Sequence, residues 1–462
     1  MKNESLEASE AAELSRIREF DTASTRRPHI AILGNSPFTT LITNAGSGQT
    51  RFGAIAVTRW RSDPTLDDSG HWCYVKDVTA GRVWSAGFQP TCIEPSWYKV
   101  RFDDSCASFQ RRDGDIETMM EIVVSADDAV EIRRVTLRNT SSTPHDVELT
   151  SCAEVVIAPF NADRGHPAFS NLFVQTEWIP ESNAILAMRR PRSAENDPVW
   201  CGHAVSVDDT PGDVSCETDR AQFIGRGRTY RNPRALERDG MLSNRTGAVL
   251  DPVFAIRTRL SIPAGDSACV SFATFMATDR AHALRMAETC SDRPAVDELL
   301  ARVRSQRGDD RGSLYQEMAG QLLFPDSSGA NHDGGKLELE SLGISGEVPI
   351  VVARLGADNG MRAASELLEI QRYWRSTGIR TDLVFVTDHE SSELEKAVAD
   401  ANRDAAALRD AESFTFPGYA VSMTRNSIDE RQLQTLRSNA RMDIDCSTFE
   451  LTQYVKESRS MQ

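Results

Sequence analysis

Val130-Glu131-Ile132-Arg133-Arg134-Val135-Thr136-Leu137-Arg138-Asn139 is the stretch that decides the fold class. Val130, Ile132, Arg134 and Thr136 fall on one side of an extended chain, and Val135 and Leu137 on the other. This is the period of two that a β-strand gives its side chains. The same texture extends outward. Asp115 to Val124 carries Ile116, Ile122 and Val123, Val147-Glu148-Leu149-Thr150 continues the pattern, and Ala54 to Trp60 is a further β-rich run. Turn chemistry separates these runs at Asn44 to Gly48, at Asp113-Gly114 and at Ser141 to Pro144. From about Phe38 to Phe275 short strands follow one another with almost no helical period, which predicts an antiparallel sandwich. About 240 residues is large for a simple sandwich, so a two-sheet super-sandwich with long loops is expected.

Helical period begins near Thr278, with Ala281, Leu284 and Ala287, then Val296, Leu299, Leu300 and Val303 at helical spacing. A helix is predicted from Ser313 to Leu323, stopped before Pro325, followed by a polar, Gly-rich linker over 326–336. A βαβ pattern closes the sequence. Val348 to Ala353 is the continuous apolar run of a buried parallel strand. Asp358 to Thr377 is an amphipathic helix, and Leu383 to Val386 a second strand. Ser392 with Glu395 reads as a capping box for a helix through Arg409, and Ser427 with Glu430 as the cap of a shorter one. The fold class is therefore mainly β: a large antiparallel β-super-sandwich, a helical linker and a small α/β domain. The expected division is an N-terminal leader over 1–28, the super-sandwich over 29–277, the helical linker over 278–336 and the α/β domain over 337–462.

The 462 residues carry a net charge of −16, which argues against nucleic acid as a partner, since phosphate binding needs a basic footprint. No apolar run approaches the ~18 residues of a membrane span, and Met1 to Glu19 lacks the apolar stretch of a secretory signal. Nine cysteines without a CxxC pair are expected to be reduced, buried thiols in a cytoplasmic, reducing compartment. Neither a metal nor a cofactor is implied, because no His-x-Glu or HExxH spacing occurs and Gly46-Ser47-Gly48 sits between strands rather than before a helix.

Several groups could carry chemistry. Asp115 and Glu117, two apart on a strand, would place two carboxyls at about the 5–9 Å that glycoside chemistry uses. A solvated strand face after an Asp113-Gly114 turn has the same appearance. Arg226, Arg228 and Arg231, in Gly225 to Pro233, offer planar guanidinium groups to sugar hydroxyls or phosphate, or form an inter-domain salt-bridge loop facing the acidic parts of the chain. Aromatic residues concentrate early: Trp60, Trp72, Tyr74, Trp84, Phe88, Trp97 and Tyr98. Trp60, between Arg59 and Arg61, combines the stacking surface and polar neighbours that a sugar requires. His166 and Asn171 share the segment Arg164 to Asn171. No GxSxG nucleophile elbow occurs.

Runs of sequence resemble one family in order: LITNAGSGQTRFGAIAVTRWRSDPT (41–65), YVKDVTAGRVWSAGFQPT (74–91), FQRRDGDIET (109–118), ELTSCAEVVIAP (148–159), HPAFSNLFVQTE (166–177), GRGRTYRNP (225–233) and GAVLDPVFAIR (247–257). They resemble the sandwich domain of cyclic β-1,2-glucan synthases, of the glycoside hydrolase family 94 type formerly called glycosyltransferase family 36. Cellobiose and chitobiose phosphorylases belong to the same type. LGISGEVPIVVARL (342–355) and RYWRSTGIRTDLVFV (372–386) resemble the segment that follows the sandwich in those synthases. Glu340-Ser341-Leu342 stands where the family has a Trp-containing lead-in, and Glu347 replaces an Asp. The resemblance implies a super-sandwich, a helical linker and then an (α/α)₆ barrel whose general acid is an Asp in a DWND-like motif. This sequence contains no such motif and is expected to lack the barrel. The expected partners are a β-glucan oligosaccharide and either a catalytic barrel subunit or a second copy, with association to an inner-membrane synthase left open. Two functional readings follow, beside that of a remnant without function, which the intact turn and cap chemistry disfavours. One is a carbohydrate-binding and assembly module that is non-catalytic alone, using Trp60, Arg61, His166, Asn171, Arg226, Arg228 and Arg231. The other is a glycan-active enzyme (glycosyltransferase, phosphorylase or hydrolase) using Asp115 and Glu117.

Overall fold

The computed structural model describes residues 17–191, 197–207, 213–237, 240–305, 312–325, 336–356, 360–412, 418–447, 450–451 and 453–455. The chain forms two compact units, 1–310 and 311–462.

The first unit begins with β1 (Arg18–Phe20), β2 (Ile30–Asn35), β3 (Phe38–Thr43), β4 (Gly48–Phe52), β5 (Ile55–Thr58), β6 (His71–Asp77) and β7 (Arg82–Ser85). It continues with β8 (Trp97–Phe102), β9 (Cys106–Asp113), β10 (Ile116–Ser125), β11 (Val130–Asn139) and β12 (His145–Pro159). After α1 (Phe160–Gly165) and α2 (Pro167–Asn171) come β13 (Val174–Ile179), β14 (Ala184–Arg189), β15 (Val199–Val207) and β16 (Ser215–Asp219). Then follow α3 (Arg220–Ile224), β17 (Pro252–Ile262), β18 (Ser267–Ala277), α4 (Arg280–Ser291) and α5 (Arg293–Ser305). One nine-stranded sheet has the order β1-β8-β9-β10-β11-β18-β15-β14-β13. The other runs β16-β17-β12-β5-β4-β3-β2, with β6 also on β12 and β7 on β6. The super-sandwich is therefore antiparallel and two-layered. Arg18–Phe20, inside the segment expected as a leader, is an edge strand on β8.

The alternation of β11 explains the layering. Val135 and Leu137 join Phe38, Val75, Trp84, Phe109, Phe254 and Phe272 in the core between the sheets. Val130 and Ile132, on the opposite face, are buried under α4 and α5 by Ala283, Ala287, Val296, Leu299 and Val303. The helices thus cover the outer face of the first sheet, and Arg134 is tied to Asp297 of α5.

A charged cluster lies inside this apolar core. Glu131 and Arg133, both essentially without solvent contact, pair at 2.6 Å through Nε and Oε1. Thr40 donates to Glu131 Oε2 at 2.8 Å, and Thr50 donates to the same oxygen. Arg133 also donates to the His71 carbonyl, and His71 Nδ1 lies 3.3 Å from Glu131 Oε1. The His71 ring meets the His203 ring edge to face at 5.0 Å. His203 is fixed by Ser151 Oγ at 2.8 Å and Thr274 Oγ1 at 2.9 Å, and it stacks on Phe254 and Phe272. Thr40, Thr50, His71 and Ser151 come from one sheet, and Glu131, Arg133, His203 and Thr274 from the other. Burial alone would raise the Glu131 carboxyl, but Arg133 and the surrounding donors hold it well below its usual range. Burial, aided by the Arg133 charge, pushes His71 down to about 4, and burial with His71 as neighbour pushes His203 down as well.

The second unit holds α6 (Gly312–Leu323), α7 (Lys336–Ser341), β19 (Ile350–Arg354), α8 (Gly360–Ser376), β20 (Asp382–Thr387), α9 (Ser392–Glu412), β21 (Ala420–Thr424), α10 (Glu430–Asn439) and β22 (Ala440–Asp445). All its strand pairs are parallel, in the order β21-β20-β19-β22. This is the doubly wound pattern, with a reversal between β19 and β22. The stretch expected as one linker is divided, because α4 and α5 pack on the first sheet whereas Trp374 of α8 donates to the Tyr315 carbonyl of α6. Residues 326–335 of the Gly-rich stretch lie outside the described residues. Two expected caps are corrected. Ser391, not Ser392, accepts the Leu394 N–H. The capping box of α10 is Asp429 with Gln432, because the Ser427 hydroxyl is donated to the Thr424 carbonyl.

Replacing Glu131 by Gln is expected to cost about 3–5 kcal/mol in urea unfolding, since it leaves the Arg133 charge buried without its counter-ion. The buried histidine sets a pH dependence. Unfolded, His71 takes a proton below about pH 6.5, whereas folded it does so only below about 4. The unfolded chain therefore binds more protons between those values, and stability falls as the pH drops from about 6.5 to 4. The thermal midpoint is expected to follow that slope, and a His71→Asn variant to show a shallower one.

Candidate functional site

Antiparallel pairing gathers the loops of the second sheet. Val155 of β12 lies opposite Thr58 of β5, Ala153 opposite His71, and Asp219 of β16 opposite Pro252 of β17. Segments 59–70, 159–173, 219–237 and 240–251 consequently converge at one end of the sheet.

Arg59 is the centre of this end. Its guanidinium contacts Asp163 at 2.9 and 3.2 Å and Asn171 Oδ1 at 3.1 Å, and it pairs directly with Glu154. Asn171 donates onward to Asp251 at 2.8 Å. Arg220, the first residue of α3, contacts Glu154 at 2.9 Å, Asp251 at 3.2 Å and the Tyr230 hydroxyl at 3.1 Å. Its guanidinium also lies 5.3 Å from the centroid of the Tyr230 ring. The network runs from shielded to open. Arg59, Glu154 and Asp163 are nearly covered, while Asp251 and Arg220 keep about a third of their side-chain surface in water. Burial and the Glu154 charge raise the Asp251 carboxyl. The surrounding carboxylates override the burial of Arg59 and keep it firmly charged.

The segment after α3 is a strap across the outer face of the second sheet. Phe223, Ile224, Tyr230, Leu236 and Leu242 pack there on Trp72, Tyr74, Cys152, Val253 and Ala255. Tyr74 donates to the Tyr230 carbonyl at 2.8 Å, and Arg257 donates to the carbonyls of Ala235 and Gly240. Gly225 and Gly227, at φ +83° and +78°, supply the left-handed turns that bring Arg226, Arg228 and Arg231 around the bend.

The residues singled out in the sequence divide by environment. Asn171 is buried within the Arg59 network. Trp60 is half-buried and Arg61 exposed in the loop leaving Arg59. His166 is exposed between α1 and α2, its backbone bonded to Ala162 and Ser170. Arg226 and Arg231 stand exposed on the strap, whereas Arg228 is held by Glu237 at 2.6 Å, a local pair within the strap rather than the expected inter-domain one. Asp115 and Glu117 do not share a strand face. Asp113 pairs with Ile116, so Gly114 and Asp115 form a two-residue hairpin turn with Asp115 in solvent. Glu117 instead lies between Arg112 and Arg138, at 3.8 and 3.9 Å.

Arg59, Glu154, Asp163, Arg220 and Asp251 escaped the sequence reading because nearly 200 residues separate the first from the last. Two weak signals existed: Arg59 adjoins Trp60, and Glu154 is a lone charge within the apolar run Cys152 to Ala158. Three exposed apolar side chains border the network on the segments that build it: Phe169 at 54%, Leu172 at 45% and Leu250 at 77%. Among the described residues no group of His, Cys, Asp and Glu is arranged to hold a metal. The nine thiols are free, and no described helix is long and apolar enough to cross a membrane.

Residues 14–293 match the model of the glycosyl hydrolase 94 supersandwich domain. The cyclic beta-(1,2)-glucan synthase of Rhizobium meliloti is 32% identical over 380 residues, 78% of this chain and 13% of that protein. The N,N'-diacetylchitobiose phosphorylase of Vibrio proteolyticus is 23% identical over 63% of this chain and 35% of its own length. For the solabiose phosphorylase of Paenibacillus borealis the figures are 23%, 54% and 32%. The chain spans little more than a third, or less, of each of these relatives. Its sandwich, its helices and its sequence agree, and the chain belongs to the glycosyl hydrolase 94 supersandwich family.

Proposed function

We propose that this chain is a carbohydrate-binding and assembly module for β-1,2-glucan, non-catalytic by itself, whose working surface is the loop end around Arg59. The supporting observation is the juxtaposition there of a half-open hydrogen-bonding network with Trp60, Phe169, Leu172 and Leu250. Sugar hydroxyls need fixed polar partners and sugar C–H faces need apolar surface, and this end offers both. Arg61, Arg226 and Arg231 add uncommitted donors at the margin, and His166 a ring on the α1–α2 bend. Glucan is favoured by the relative named as a cyclic β-1,2-glucan synthase. The assembly role follows from the same exposed apolar residues, which fit a protein surface as well: a catalytic barrel subunit or a second copy. The turn position of Asp115 and the double pairing of Glu117 speak against these two as an acid–base pair. The free thiols are in keeping with a reducing, cytoplasmic setting, where the module could associate with a membrane-bound synthase.

Calorimetric titration with linear and cyclic β-1,2-glucans, assayed in parallel for product with and without phosphate, tests this. Binding without turnover is expected, weakened about tenfold or more by Trp60→Ala or Arg231→Ala. Arg228→Ala, which removes a side chain already engaged with Glu237, should have a smaller effect. Turnover abolished by Glu117→Gln would contradict the proposal, as would affinity indifferent to both Trp60 and Arg231.

A further inference from the structure

We propose a second pyranose-binding subsite, in the cleft over Trp97 at the β1–β8 edge of the first sheet. It goes beyond the reading above, since it uses none of the residues of the Arg59 network.

The cleft encloses about 430 Å³, within the range of small-molecule sites. Phe88, Trp97 and Tyr98 are among the residues that line it, and Trp97 keeps 50% of its surface in water. Two carboxylates, Asp21 and Glu94, stand at its rim. Both are exposed, and neither has a hydrogen-bond or ion-pair partner among the described residues. Exposed tryptophan beside unengaged acceptors is unusual on a surface as rich in ion pairs as this one. An indole face supports the C–H face of a pyranose, and an ionised carboxylate accepts hydrogen bonds from two neighbouring hydroxyls. Among the described residues no Lys or Arg lines the cleft, which favours a neutral sugar over an anionic ligand.

The walls are fixed before any ligand arrives. Arg111, 1% exposed, donates to the carbonyls of Gly87 at 2.5 Å and Ile93 at 2.9 Å, and its fork is closed by Asp113 at 2.7 Å on both oxygens. That holds the segment carrying Phe88 and leading to Glu94. On the other side Asn44 Nδ2 donates to the Thr22 carbonyl at 3.2 Å, and the Asn44 carbonyl accepts the Tyr98 hydroxyl at 2.9 Å. A site held in this way loses little conformational freedom on binding. Glu94 and Arg231 both lie within electrostatic reach of the Cys92 thiol. Glu94 of the cleft and Arg231 of the strap thus approach the same thiol, and a longer glucan could meet both.

The test is titration of the full chain with linear β-1,2-glucan oligosaccharides, with cello-oligosaccharides and with choline, followed by calorimetry and tryptophan fluorescence. Trp97→Ala is expected to weaken glucan binding about tenfold, and Asp21→Asn and Glu94→Gln to weaken it less. Thermal midpoints should stay unchanged, because the three side chains are exposed. Loss in Trp97→Ala with none in Trp60→Ala would keep this subsite and remove the loop-end surface. Binding of cello-oligosaccharides alone, through Trp97, would keep the subsite and remove the β-1,2-glucan specificity. Pyranose affinity unchanged in Trp97→Ala overturns the inference, as does binding of choline without any sugar.

Discussion

The Glu131–Arg133 ion pair, sealed between two β-sheets, is the constraint on which the first unit depends. Two charges taken out of water are tolerated only when nearly every donor and acceptor around them is engaged. Here the engagement comes from both layers, so the sheets can meet in only one arrangement. Thr40 and Thr50 must face Glu131, the His71 carbonyl must face Arg133, and His203 must sit between Ser151 and Thr274. An apolar core of similar area would be as favourable, but it would allow the sheets to slide. The pair of Ser151 with His203 has the composition of a nucleophile and base, yet it is enclosed by Phe254 and Phe272 and acts on register rather than on substrate.

Fixing the sheets fixes the ends of their strands. Arg59, Glu154 and Asp251 belong to β5, β12 and β17 or to the residue adjoining them, and Asp163, Asn171 and Arg220 to the short helices that follow or precede those strands. Their distances therefore depend on the same register that the buried cluster defines. The loop end is consequently a hydrogen-bonded surface of polar groups with apolar neighbours, and the strap carrying Arg226 and Arg231 is anchored to it through Tyr230. At the β1–β8 edge Arg111 does the same for the loop before β8, holding it by two carbonyls.

Much of the fold was legible in the sequence. The period of two in Val130 to Asn139, the turn residues between runs and the switch to helical spacing near Thr278 each had one structural meaning. Helix caps were legible only to within a residue or two, because serine hydroxyls have competing backbone acceptors, as Ser427 shows. The working residues were harder to read. A strand period cannot distinguish Glu131 and Arg133, paired in the interior, from Glu117, paired in solvent between Arg112 and Arg138. Arg59 and Asp251 become neighbours only through strand pairing over long sequence separations. Asp115 was misplaced because the hairpin closes between Asp113 and Ile116, one residue later than the Asp-Gly pair alone implies. The family resemblance supplied the sugar context that no single motif in this chain contains.

A crystal structure of the chain soaked with linear β-1,2-glucan tests the central claim most directly. A sugar ring against Trp60, with hydroxyls within hydrogen-bond distance of Arg231 or Asp251, is the expected result. Glucan found only on the parallel sheet of the second unit, with the Arg59 end bare, would contradict it.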